Sequence, residues 1–204
     1  LSVGMTMLAG RDVTSEELLV EADAAMYAAK ARGKNRYEVF DPSMRSASEL
    51  RSQLRTELGD AIARGEFRLY FQPVIDLATG EWSGVEALAR WPHPQHGLLK
   101  PCEFLKVAED SGLIEAIDWR MFELSCSLLS RHGVRDTFMT FNVSALHLRH
   151  PDFDARLIRM VEAIGLPPSR LVAEVTEGAL LDNPEIVRAT LERVLEVGIG
   201  AALD

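Results

Sequence analysis

The 204-residue chain is 47% apolar and 26% charged, the balance of an ordinary folded protein with room for one or two cores, which excludes disorder as its default state. A net charge of −9 without any block of like charges excludes a long basic footprint for DNA or RNA, while a small anionic ligand stays open because bound cations can offset local negative charge. Cys102 and Cys126 have no metal spacing and point to a reducing compartment, and no long apolar run or export leader occurs, so a cytoplasmic chain without a membrane segment in these residues is expected.

In chain order, LSVGMTML at 1–8 alternates like a strand with no turn before it, and is expected to be the last strand cut from a larger domain. A Thr14-x-x-Glu17 capping box opens a helix whose Leu18, Leu19, Ala22, Ala25, Met26 and Ala29 form an apolar stripe read as core packing. Gly33 closes this helix, and Glu16, Glu17 and Glu21 are expected on its solvated face. One strand and one helix cannot bury a core alone. From about Pro42 to Arg64 the pattern is polar and helical, a connector into a second domain. Two strand-like runs, FRLYFQPVIDL and EWSGVEALARW, then flank a turn at Ala78-Thr79-Gly80. Helices are predicted at 101–110 and 115–131, a strand at FMTFNV, and a helix over 152–164 that Gly165 and Pro167-Pro168 stop before the strand RLVAEV. Asn183-Pro184-Glu185 reads as a cap followed by proline at the first helical position, opening a helix to Val197, and IGAALD reads as a strand.

Four of the apolar runs each carry one oxygen ligand that reads as buried: Glu86, Asn142, Glu174 and Asp204. Such groups are costly in a hydrophobic strand unless they are paired or bound to a cation, so a shared metal site is the common explanation. Asn142 and Glu174 are 32 residues apart, and Glu174 and Asp204 are 30 apart, each gap holding a helix-like segment. That is about one strand-plus-helix unit of a (β/α)8 barrel, a fold that places catalytic residues at the C-terminal ends of its strands. An oxygen-only set suits Mg²⁺ or Mn²⁺ and not zinc. Taken singly, a strand Asn is more often a hydrogen-bonded structural group, and an Arg such as Arg90 a surface one. The HxxH pairs His93/His96 and His147/His150 are read as structural, because neither has a third ligand at a workable spacing.

Residues 57–204 resemble the first part of an EAL domain. The resemblance is carried by YFQPVIDLATGE, by Glu86-Ala87-Leu88 within GVEALARWPHP, by NVSA at Asn142–Ala145, by EVTE at Glu174–Glu177 and by a terminal ALD. Residues 1–41 resemble the C-terminal end of a GGDEF domain through ADAAMYAAKARGKNRYEVF, with 42–56 as a connector helix. The implied fold is α/β: an incomplete TIM-like (β/α)8 barrel, truncated at Asp204, preceded by the terminal helix and strands of a cyclase-type domain. The implied activity of the complete protein is two-metal hydrolysis of cyclic di-GMP to linear pGpG, using Mg²⁺ or Mn²⁺. Glu86, Asn142, Glu174 and Asp204 would be metal ligands, Gln72, Leu88 and Arg90 substrate contacts, and Glu177 the residue that holds the loop after its strand. The family's second aspartate, lysine, further glutamate and C-terminal glutamine fall outside these residues. No general base is therefore identifiable, and this chain by itself is expected to be inactive. Lys106 stands where such helices usually carry proline, and Leu146-His147 where arginine-glutamine is common. The resemblance allows an EAL–EAL homodimer. A degenerate module that binds cyclic di-GMP or a protein partner without hydrolysis is the alternative.

Overall fold

The computed structural model describes all residues except Ala9, Arg11, Asp12, 133–136, Asp182 and Asp204. Two compact units divide it, Leu1–Thr56 and Glu57–Asp204.

In the first unit, strands β1 (Ser2–Met5) and β2 (Arg36–Val39) pair in parallel, joined through helix α1 (Ser15–Ala31). The capping box forms as expected, with Thr14 Oγ1 accepting from Glu17 N at 3.2 Å and Glu17 Oε2 accepting from Thr14 N at 2.7 Å. A side chain at Gly4 would place its Cβ 1.9 Å from Ala22 O, so glycine is what lets β1 approach the helix backbone. That close approach overturns part of the expected helix face. Ala24, Ala25 and Ala29 are buried, whereas Leu19 is exposed. Glu21 is not solvated but buried, its carboxylate accepting from Thr6 Oγ1 at 2.6 Å and from Arg45 at 2.9 Å. Filled lone pairs and an opposite charge make that burial tolerable. Arg45 belongs to α2 (Pro42–Ala63), the helix that leads into the second unit.

The second unit follows as β3 (Arg68–Ile75), β4 (Trp82–His93), β5 (Gly97–Leu99), α3 (Pro101–Asp110), α4 (Ile114–His132) and β6 (Phe138–Asn142). After these come α5 (Ala145–Leu148), α6 (Phe153–Ile164), β7 (Leu171–Val175), α7 (Glu177–Leu181), α8 (Pro184–Glu196) and β8 (Gly200–Leu203). The sheet order is β3-β4-β6-β7-β8, with β3 antiparallel to β4 and every later pair parallel, while β5 pairs with the far end of β4. This is the mixed α/β arrangement expected of a TIM-like barrel, strands returning through helices that cover one face. The short elements β5, α5 and α7 were not among the predicted ones, being too brief to show a period. Asn183 stands at the N-cap of α8, as expected. It adopts the left-handed conformation, φ 62° and ψ 60°, and its side chain makes no cap hydrogen bond; Pro184 does occupy the start of α8. Asn tolerates this backbone better than most residues, and its carbonyl accepts from Val187 N at 3.2 Å at the start of the helix.

Odd-numbered strand residues Met139, Phe141, Leu171, Ala173 and Val175 enter one core with Phe122 of α4, Phe153 and Leu157 of α6, and Val187 and Val194 of α8. A second aromatic group joins Phe67, Trp91 and Phe104, with ring centroids 5.5 Å apart for Phe67–Trp91 and 5.3 Å for Phe67–Phe104. Trp91 Nε1 donates to Glu66 Oε2 at 3.0 Å. That bond, reinforced by one from Arg64, holds the Glu66 carboxyl below its ordinary value of 4.5. A depressed folded-state value means stability that is present at neutral pH and lost as pH falls through the folded value. Glu66→Gln should therefore flatten the acid loss of stability below about pH 4.5, read by tryptophan fluorescence during acid titration. An unchanged acid transition would show that this pair contributes nothing. His93 is structural as expected: it is buried, its Nδ1 accepts from the backbone N–H of Gln95 at 3.2 Å and of His96 at 3.3 Å, and Nε2 lies 2.8 Å from Glu57.

Candidate functional site

Strand residues alternate between faces, and the register carries one parity across the sheet except at the β3–β4 bulge between Val74 and Ile75. Gln72 lies opposite Glu86, Glu86 beside Thr140, Asn142 beside Glu174, and Glu174 beside Ala202. With the odd residues packed under the helices, all of these even residues project from the other face. Asn142 Nδ2 donates to Glu86 Oε1 at 3.1 Å. Three of the four expected ligands are thereby brought together, two carboxylates and an amide. Asp204 lies outside the described residues, one position after Leu203, which pairs with Val175. Among the described residues no group of three or more His, Cys, Asp and Glu converges as a metal cluster. The set instead depends on the Asn142 amide.

These groups are less buried than the sequence suggested. Glu86 and Glu174 are half-buried and Asn142 is exposed. The apolar character of each run comes from the odd residues on the helix side, which is why the pattern reads as buried on both faces. The donor chemistry fits a hard divalent cation, since every converging group offers oxygen. Thr140 adds to this: its Oγ1 is buried on the same face and has no hydrogen-bond partner among the described residues.

Leu88 lies opposite Tyr70 and Arg90 opposite Arg68, so both share the face of Glu86. The Arg90 guanidinium sits 5.7 Å from the centre of the Tyr70 ring and donates to Ala89 O at 2.8 Å. Gln72, Glu86, Leu88, Arg90, Asn142 and Glu174 thus occupy one sheet face. Glu177 does not join them: it is exposed in the first turn of α7, and its carboxylate makes no hydrogen bond or ion pair with a described residue. The turn after β7 is fixed by Thr176, whose Oγ1 accepts from Ala179 N at 3.3 Å.

A polar cluster beside this face went unnoticed in the sequence. Asp118 Oδ2 accepts from Ser144 Oγ at 2.7 Å and from Ser144 N at 3.2 Å, and lies 3.2 Å from His147 Nδ1. The residue types are those of a nucleophilic triad, but the order is wrong. The serine hydroxyl donates to the carboxylate, so the histidine does not act on it as a base. Asp118 had one available signal, a carboxylate set between Ile117 and Trp119 on the buried side of a helix. Cys126 on the same helix is no nucleophile either, because burial pushes its thiol up to about 11.

Residues 55–204 match the family profile described as EAL domain. The bifunctional diguanylate cyclase/cyclic di-GMP phosphodiesterase MucR of Pseudomonas aeruginosa is 35% identical over 206 residues, an alignment covering 100% of this chain and 30% of MucR. A solved structure described as PaMucR phosphodiesterase in c-di-GMP complex superposes with a TM-score of 0.71 at 34% identity, covering 74% of this chain and 63% of that one. The FimX EAL domain from Pseudomonas aeruginosa bound to c-di-GMP gives a TM-score of 0.67 at 30% identity, covering 73% and 60%. The chain thus spans under a third of the curated relative and about three-fifths of each solved one. No helix among the described residues is long and apolar enough to cross a membrane.

Proposed function

The chain belongs to the EAL domain family, and from that premise we propose that the full-length protein hydrolyses cyclic di-GMP to linear pGpG with Mg²⁺ or Mn²⁺. The observation that carries this reading is the Asn142–Glu86 contact at 3.1 Å, with Glu174 next to Asn142 in register. Glu86, Asn142 and Glu174 would hold the cation, with Asp204 as a further ligand. A divalent pair at such a site supplies Lewis acidity toward water and a phosphate oxygen. The chain's own residues orient the substrate. Arg90 offers a planar donor fork suited to a phosphodiester, exchanging its bond to Ala89 O for the ligand. Gln72 presents an amide opposite Glu86, suited to the guanylate, and Leu88 an apolar wall one pleat further along β4. The strands keep these groups at fixed spacing, which lowers the entropic cost of alignment.

The MucR alignment runs through residues 1–41 as well, which supports reading them as the end of a GGDEF domain, with 42–56 as connector and 57–204 as the N-terminal part of the EAL domain. The test is a turnover assay on the full-length protein with Mn²⁺ or Mg²⁺. Accumulation of linear pGpG is expected. Tight binding of cyclic di-GMP and Mn²⁺ without turnover would overturn hydrolysis in favour of a binding module.

A further inference from the structure

We infer that Asp118 is a positioning residue for Asn142, acting through Ser144; the inference rests on the cation reading of Asn142 proposed above. Contacts lead continuously from helix α4 to that position. Asp118 is 7% exposed, and its Oδ2 takes the Ser144 hydroxyl at 2.7 Å, the Ser144 amide at 3.2 Å and the His147 ring at 3.2 Å. A buried carboxylate is tolerated when its lone pairs are filled in this way. Ser144 in turn accepts from His147 N at 3.3 Å and starts α5 two residues after Asn142. The imidazole of His147 cannot swing away, being packed against Trp119 at 4.7 Å and Phe153 at 4.6 Å between ring centroids.

The segment after Asn142 is therefore clamped on two sides. Val143 N donates to Glu174 O at 2.9 Å, which ties it to β7, and Ser144 ties it to α4 through Asp118. Asn142 itself is exposed and its side chain is held through Glu86, so the strand end relies on these neighbours for its position. Gln72, Leu88 and Arg90 stand on β3 and β4, and neither strand carries a residue of the clamp. Loosening it should weaken cation binding and leave the apparent affinity for substrate nearly unchanged.

The experiment is a double-mutant cycle in the full-length protein, reading Mn²⁺ affinity by titration without substrate, with KM and kcat measured alongside. Asp118→Ala should weaken Mn²⁺ by about tenfold, as losses in a ligand's supporting shell do, and Asn142→Ala, which removes the ligand itself, by at least as much. The double variant should be no weaker than Asn142→Ala alone, because both changes act on one ligand. Asp118→Asn keeps an oxygen acceptor toward Ser144 and should recover most of the affinity. Should Asp118→Ala fail to fold, Ser144→Ala completes the same cycle with the same non-additive pattern expected. Additive losses, or wild-type affinity in Asp118→Ala, overturn the positioning role. If Asn142→Ala alone binds Mn²⁺ normally, the cation reading falls and this inference with it.

Discussion

Glu86→Ala in the full-length protein should lower cation-dependent hydrolysis of cyclic di-GMP by roughly a hundredfold or more, with excess Mn²⁺ failing to restore it. Loss of an outer-shell partner already costs about 10–100-fold in affinity or activity, and Glu86 is placed to touch the cation itself. Its carboxylate is one of two among the converging groups, so its removal changes both charge and coordination. Arg90→Ala should behave differently. It removes a charge-assisted hydrogen bond worth roughly 1.5–3 kcal/mol, which raises KM and is largely overcome by excess substrate. Steady-state kinetics over both Mn²⁺ and cyclic di-GMP separate the two. Near-normal rates in Glu86→Ala would overturn the ligand assignment.

Phe141→Ala should cost about 3–5 kcal/mol of stability, a large share of the roughly 5–15 kcal/mol that holds a domain together. Phe141 is 2% exposed, and its ring meets Phe122 edge-to-face with centroids 4.5 Å apart. The substitution leaves a cavity between β6 and α4 while its even-numbered neighbours, Thr140 and Asn142, keep their side chains. The loss should appear in urea unfolding as a lowered midpoint with an unchanged slope. A loss under about 1 kcal/mol would contradict the placement of Phe141 in the main core.

Glu86, Asn142 and Glu174 were legible in the sequence because parallel strands repeat at a regular spacing and share one parity, so groups alike in chemistry and phase end on one face. Their exposure was not legible. A one-dimensional pattern shows polar atoms among apolar neighbours, but not which face those neighbours occupy. Glu21 was misjudged for a related reason: helical spacing put it with Glu17, yet Gly4 draws β1 onto the helix backbone and closes Thr6 and Arg45 over it. Asp118 escaped notice since its partners, Ser144 and His147, lie 26 and 29 residues further along the chain. The Glu177 expectation came from resemblance alone, and in its exposed position in α7 its carboxylate makes no hydrogen bond or ion pair with a described residue.

Anomalous diffraction from crystals of the full-length protein grown with Mn²⁺ and cyclic di-GMP addresses the cation site on this sheet face most directly. The expected peak lies within roughly 2–2.5 Å of side-chain oxygens of Glu86, Asn142 and Glu174. A manganese peak elsewhere, with none on the face that carries these three residues at saturating Mn²⁺, would contradict the cation site and the hydrolytic reading built on it.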